Sequence, residues 1–222
     1  MVMRARLRLF AFLPALLAAA GCATDSREPR NLDLLKEEIR DYVSSGRYQR
    51  EIAAVASKGD AWLVERAAKR AAGERLAIVF DLDETLISNW PELDSLGLGY
   101  KSEIWEAWVA AGQAPAIDPV REVYRTARRL GIDVIYLTGR PERQRAGTEK
   151  NVRAIGCGDY AALIMKPDAL KEASATFKTA ERARLVAQGY TIVANLGDQE
   201  SDLVGGSAER NFKLPDPFYL SP

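Results

Sequence analysis

Two aspartates two residues apart, Asp81 and Asp83, close the apolar run Leu76 to Phe80, and Glu84 and Thr85 follow at once. Carboxylates packed that closely repel, so they ask for a cation, a shared proton, or both. A second apolar run, Ile132 to Leu137, closes in Thr138-Gly139-Arg140-Pro141. A hydroxyl followed by glycine at such a point leaves backbone N–H groups free to meet an anion. A third run, Tyr190 to Ala194, leads into Asp198 and Asp202, and Lys178 opens the helical stretch that feeds it. Lys166, at the end of a shorter run, competes with Lys178 for the same part. Asp81, Asp83 and Asp198 with a hydroxyl and an ammonium suit a dianion bridged to Mg²⁺, with one carboxylate left to attack phosphorus.

These groups are far apart in the chain, so the elements between them must gather them. Leu76–Phe80, with β-branched Ile78 and Val79, reads as a strand buried on both faces of a parallel sheet. Helical patterns alternate with such strands. Leu32 to Val43 and Arg47 to about Ala72 carry apolar stripes and read as packing helices at the start of the domain. Asp118-Pro119 opens a helix by capping and by proline in the first turn, and Gly131 ends it. Residues 142 to 155 and 177 to 188 read as helices, Ala161 to Met165 as a short strand, and Asn211 to Pro215 as an edge strand. The pattern predicts an α/β fold: one three-layer sandwich around a parallel sheet. In such a sheet, strand ends and the starts of returning helices share an edge, so Asp81, Asp83, Thr138, Lys178 and Asp198 can converge there. Residues 87 to 117 form a small aromatic-rich insert placed to roof that edge. Its Trp90, Tyr100, Trp105 and Trp108 can stack on a substrate or pack the core, since aromatic rings serve both ends.

Composition narrows the chemistry further. The 222 residues contain no histidine, which excludes Ser-His-Asp hydrolysis, phosphohistidine intermediates and His-ligated zinc. Any metal must be a hard, oxygen-loving cation, and magnesium fits. Basic and acidic residues balance at 31 each, with no basic footprint for a nucleic acid polymer. Cys157 has Leu163, not arginine, six residues on; a thiol phosphatase loop does not fit, and a quiet packed thiol does.

Residues 1–21 read as an export signal. Arg4, Arg6 and Arg8 form a basic head, and Leu9 to Ala20 an apolar segment too short for a helical span of about 20 residues. The sequence Ala19-Ala20-Gly21-Cys22 resembles a bacterial lipobox, whose cysteine is lipidated. Ala23 after it points to the outer membrane, with the protein held there through Cys22. Residues 22–31 are then a lipidated tether and 32–222 the domain.

Asp81-Leu82-Asp83-Glu84-Thr85, Leu137-Thr138-Gly139-Arg140, Lys178 and Gly197-Asp198-Gln199-Glu200-Ser201-Asp202 resemble the four motifs of the haloacid dehalogenase (HAD) superfamily. Ser88-Asn89-Trp90, Thr148-Glu149-Lys150-Asn151 and Phe212-Lys213-Leu214-Pro215 resemble its subclass IIIB acid phosphatases. That group includes bacterial lipoprotein phosphatases and plant acid phosphatases. The resemblance implies a HAD-like sheet and a Mg²⁺-dependent acid phosphatase acting on small phosphomonoesters. By motif position, Asp81 would be the nucleophile and Asp83 the general acid, keeping a proton while the metal lowers the pKa of Asp81. Mg²⁺ would be held by Asp81, the Asp83 carbonyl and Asp198, with Asp202 close by; Thr138, Gly139 and Lys178 would grip phosphoryl oxygens. Aromatic rings in the insert make nucleoside monophosphates or aryl phosphates attractive substrates. Two other readings remain: phosphotransfer to an alcohol acceptor, and a surface lipoprotein that binds phosphorylated ligands without turning them over.

Overall fold

The computed structural model describes residues 29–221; the leader and Cys22 lie outside them. From Leu32 onward the chain forms one unit built on five parallel strands: β1 (Arg75–Phe80), β2 (Asp133–Pro141), β3 (Ala162–Lys166), β4 (Tyr190–Gly197) and β5 (Asn211–Lys213). Their order across the sheet is β3-β2-β1-β4-β5. The first three strands therefore run out to one side of β1, and the chain then returns to the other side. This reversal puts the carboxyl ends of β1 and β4 next to each other, with Phe80 paired to Leu196. Open α/β sheets bind ligands at such a switch point.

The helices are α1 (Leu32–Ser44), α2 (Arg47–Ala68), α3 (Trp90–Ser95), α4 (Ser102–Ala111), α5 (Asp118–Arg129), α6 (Arg145–Ala154), α7 (Ser174–Ala187) and the single turn α8 (Glu200–Leu203). Strand alternation decides where they pack. Ile78 and Phe80 of β1 join Ile52 and Leu63 of α2, Val120, Val123 and Ala127 of α5 and Val152 of α6 in one cluster. Ala77 and Val79 point the other way, onto Phe177 and Leu185 of α7. Each fully buried side chain of this size stabilises the fold by roughly 1.5–3 kcal/mol, so β1 anchors both layers at once. The expected three-layer sandwich is what forms.

Local differences have local causes. The helix α2 stops at Ala68 and α7 starts at Ser174, three residues ahead of Phe177. Asp118 is the first residue of α5, with Ile117 rather than Asp118 at the N-cap, and it pairs with Arg121 at 2.7 Å. The strand β2 runs beyond Leu137 to Pro141, with its register against β3 shifting between Thr138 and Pro141. Arg140 lies within this irregular stretch. The insert folds into α3 and α4. Gly147 of α6 lets α4 approach, for a Cβ there would lie 2.3 Å from the Val109 carbonyl oxygen. Asn151 fastens the insert's far end, donating to Ala114 O at 2.7 Å. Among the described residues, no helix is long and apolar enough to cross a membrane.

Cys157 is fully buried in the larger cluster, and burial pushes its thiol up to about 11. At pH 8 iodoacetamide should alkylate the native protein's Cys157 at least about a hundredfold more slowly than a free thiol, and at the normal rate once urea unfolds the chain. Fast native-state labelling, read by intact mass, would contradict this packing.

Candidate active site

Asp81 is the first residue beyond β1, and its backbone N–H donates to Leu196 O of β4 at 2.9 Å. That bond fixes the carboxylate on the floor of the switch-point crevice. Lys178 reaches it from the second turn of α7, its Nζ donating to Asp81 Oδ1 at 2.6 Å and to Asp202 Oδ1 at 2.5 Å. Lys166 points elsewhere, to the Glu172 carbonyl oxygen. Of the two lysines, Lys178 is the one that stands beside Asp81.

Asp198 follows β4 directly. Its Oδ1 accepts from Thr85 Oγ1 at 2.9 Å and its Oδ2 from Gln199 Nε2 at 2.7 Å. Asp202 Oδ2 accepts from the Gln199 backbone N–H at 2.9 Å, which closes the turn of α8. Beneath this turn lies the fully buried Arg182. Its guanidinium donates to the carbonyl oxygens of Asp202, Val204 and Gly206.

Electrostatics follows from this crowding. One carboxylate oxygen from each of Asp81, Asp198 and Asp202 lies within 4.8 Å of the others, all three residues buried. Burial, and then the neighbouring acids Asp81 and Asp202, push Asp198 well above the ordinary carboxylate range. Burial also raises Asp81, against the pull of Lys178. On Lys178, burial opposes the charge, but Asp81 and Asp202 outweigh it and raise the ammonium's pKa. One ammonium cannot balance three acids, and an all-oxygen donor set of this size fits a hard divalent cation.

Asp83 sits differently from what the motif reading implies. Arg140, from the irregular stretch of β2, grips it with two nitrogens, Nη2 to Oδ1 at 2.6 Å and Nε to Oδ2 at 2.9 Å. Burial would raise Asp83, but Arg140 and the Asn89 amide together hold it below its usual value. The expectation that Asp83 keeps its proton is therefore corrected here: a bidentate arginine favours the carboxylate. Arg140 donates further to Thr148 Oγ1 at 3.1 Å, which ties α6 to the site.

These groups open on a cavity of about 500 Å³. Asp81, Asp83, Thr138, Gly139, Lys178, Asp198 and Asp202 all line it, as do Tyr100 and Trp105 of the insert. Trp90 and Trp108 do not. Trp90 packs on Phe218 with ring centroids 5.3 Å apart, and the Trp108 indole is spent on Asn89 Oδ1 at 2.8 Å. The insert's aromatics thus divide between the two uses open to them. Arg140, Asn89 and Tyr219 are further site residues to which sequence reasoning gave no part, while Glu84 and Thr85, noted there beside the two aspartates, bond to Asn89 and Asp198. Arg140 and Asn89 lay inside quoted motifs, whereas Tyr219 carried no signal.

Residues 23–222 match the HAD superfamily, subfamily IIIB (acid phosphatase). The chain belongs to this family. Acid phosphatase 1 of Solanum lycopersicum is 40% identical over 146 residues, covering 64% of this chain and 57% of that protein. A stem 28 kDa glycoprotein of Glycine max is 38% identical over 148 residues, 64% and 58% of the two chains. The match thus spans little more than half the length of these relatives. The class C acid phosphatase from Bacillus anthracis with tungstate bound superposes with a TM-score of 0.69 at 22% identity, over 85% of this chain and 87% of that one. At that identity the likeness shows the fold. The four HAD motifs quoted from the sequence are the segments that build the crevice.

Gly197, the last residue of β4, leaves no room for a side chain, because a Cβ there would lie 2.4 Å from Asp202 Oδ2. Gly197→Ala should destabilise the protein by about 1–3 kcal/mol through overpacking. Urea denaturation measures it; an unchanged midpoint would mean that α8 is not seated against β4.

Proposed function

We propose that this chain hydrolyses small phosphomonoesters through an aspartyl-phosphate formed on Asp81. The observation that carries the reading is the buried Asp81 carboxylate facing a cavity, 2.6 Å from Lys178 Nζ and clustered with Asp198 and Asp202. Family membership supports the same reaction class.

The chemistry balances on these residues. An Asp81 oxygen attacks phosphorus and the ester P–O bond breaks, while a proton on Asp83 passes to the departing alkoxide. Lys178 and Thr138 hold the phosphoryl oxygens through this step. Water then attacks phosphorus and gives its proton to Asp83; the P–O bond to Asp81 breaks, releasing phosphate. Asp81, Asp198 and Asp202, with the Asp83 carbonyl, would hold Mg²⁺, which when bound neutralises charge on the phosphoryl oxygens. Because Arg140 holds Asp83 below the usual carboxylate range, the protonated acid gains population only as the solution becomes more acidic, and activity should rise toward low pH. Tyr100 and Trp105 at the cavity wall favour nucleoside monophosphates or aryl phosphates as substrates. The basic head, apolar segment and Cys22 of the leader support an acylated protein held at a bacterial outer membrane. Loss of radiolabelled acyl chain in Cys22→Ser would bear this out, and a leader cleaved elsewhere would refute it.

Asp81→Asn should lower turnover of p-nitrophenyl phosphate by at least about a thousandfold, since it removes the nucleophile. EDTA should abolish activity and Mg²⁺ restore it; near-normal rates in either case sink the proposal. Arg140→Gln should shift the alkaline limb of the kcat/KM profile to higher pH. Asp83, freed from the guanidinium, then keeps its proton further up the scale. A limb that stays put would remove Asp83 from the acid role.

A further inference from the structure

Glu84 is a buried acid that the proposed reaction does not use. It has no solvent exposure, and its φ of 52° lies in the left-handed region that residues other than glycine rarely adopt. Both features call for compensation, and three donors supply it. The Asn89 backbone N–H donates to Glu84 Oε1 at 2.6 Å, Asn89 Nδ2 to Oε2 at 2.9 Å, and Tyr219 Oη–H to Oε2 at 2.8 Å.

Asn89 carries this arrangement on to the chemistry. Its Nδ2 also donates to Asp83 Oδ1 at 2.8 Å. The orientation of the amide is settled from outside, because the Trp108 indole can only donate and does so to Asn89 Oδ1. Nδ2 is thereby forced to face both acids. On the far side, Tyr219 belongs to a segment pinned beside the site: Gln199 Nε2 donates to Asp216, Ser221 N–H donates to Gln199 Oε1 at 3.1 Å, and Phe218 packs between Trp90 and Tyr48. Tyr219 is 135 positions from Glu84 in sequence and lines the cavity.

We propose that Tyr219 and Glu84 are positioning residues for Asp83. With Asn89 they form a hydrogen-bonded brace that aims the Asp83 carboxyl at the oxygen of the leaving group. Arg140 Nη2 and Asn89 Nδ2 meet on the same oxygen, Asp83 Oδ1, while Arg140 Nε holds Oδ2, so losing the brace leaves the carboxyl's aim to the arginine alone. The inference rests on the proposed role of Asp83 as general acid.

The test is Tyr219→Phe in the full chain, assayed with Mg²⁺ on an alkyl phosphate and on p-nitrophenyl phosphate. Tyr219 is 37% exposed, and the substitution keeps its ring, so the fold should survive. A misaimed acid harms a poor leaving group more than a good one. The ratio of kcat/KM for the alkyl ester to that for the aryl ester should fall about tenfold. The same substitution in an Asp83→Ala background should leave that ratio unchanged, because the brace acts only through Asp83. Equal losses on both substrates, or a ratio that still falls without Asp83, would make Tyr219 merely structural and overturn the proposal. Failure of the phosphatase reading would show separately, as a wild-type protein that turns over neither ester.

Discussion

The structure turns on repulsion among buried carboxylates. Asp81, Asp198 and Asp202 bring oxygens within 4.8 Å of one another at the joined ends of β1 and β4. In bulk water such a cluster would disperse; here two strand ends and the α8 turn hold it together. Lys178 offsets part of the charge, and the remainder suits a hard divalent cation. The fold is the means by which this unfavourable arrangement is held fixed.

Much of the surrounding structure serves to keep those acids in place. The buried Arg182 satisfies carbonyl oxygens on three residues of the loop that carries Asp202. Thr85 and Gln199 each orient one oxygen of Asp198. Gly197 is small because Asp202 folds back over it. Asp83 belongs to a separate system, set between Arg140 and Asn89 and carrying an ion pair of its own. Two carboxylates two residues apart thus occupy different electrostatic settings: one faces the ammonium and the other acids, the other a guanidinium. The two settings push their pKa values apart, burial raising Asp81 and the guanidinium lowering Asp83.

The fold was legible to a large degree because strand and helix periodicities are local. Ile78 and Val79 announced a buried strand, and Gly131 marks the end of a helix that the structure also ends there. The site was legible where chemistry sits at strand ends, as with Asp81, Thr138 and Asp198. It was less so where the backbone is irregular. The register shift in β2 around Arg140 follows from pairing with β3, and Leu-Thr-Gly-Arg taken by itself does not show it. Trp105 and Trp108, three apart on α4, could not be assigned to cavity or core until the neighbouring elements were in place. Gly147 and Asn89 settle that question.

From the sequence alone came the kinds of atoms available: oxygen donors and lysine, no imidazole, and acids placed where parallel strands end. That determined the class of chemistry and the edge of the sheet on which it occurs, because residue type and strand periodicity are properties of short stretches. Only the tertiary structure decided which lysine faces Asp81, that Asp83 is held by an arginine, and that Tyr219 reaches Glu84. Those outcomes depend on contacts between segments up to 135 residues apart, and their distances are set by how the layers pack.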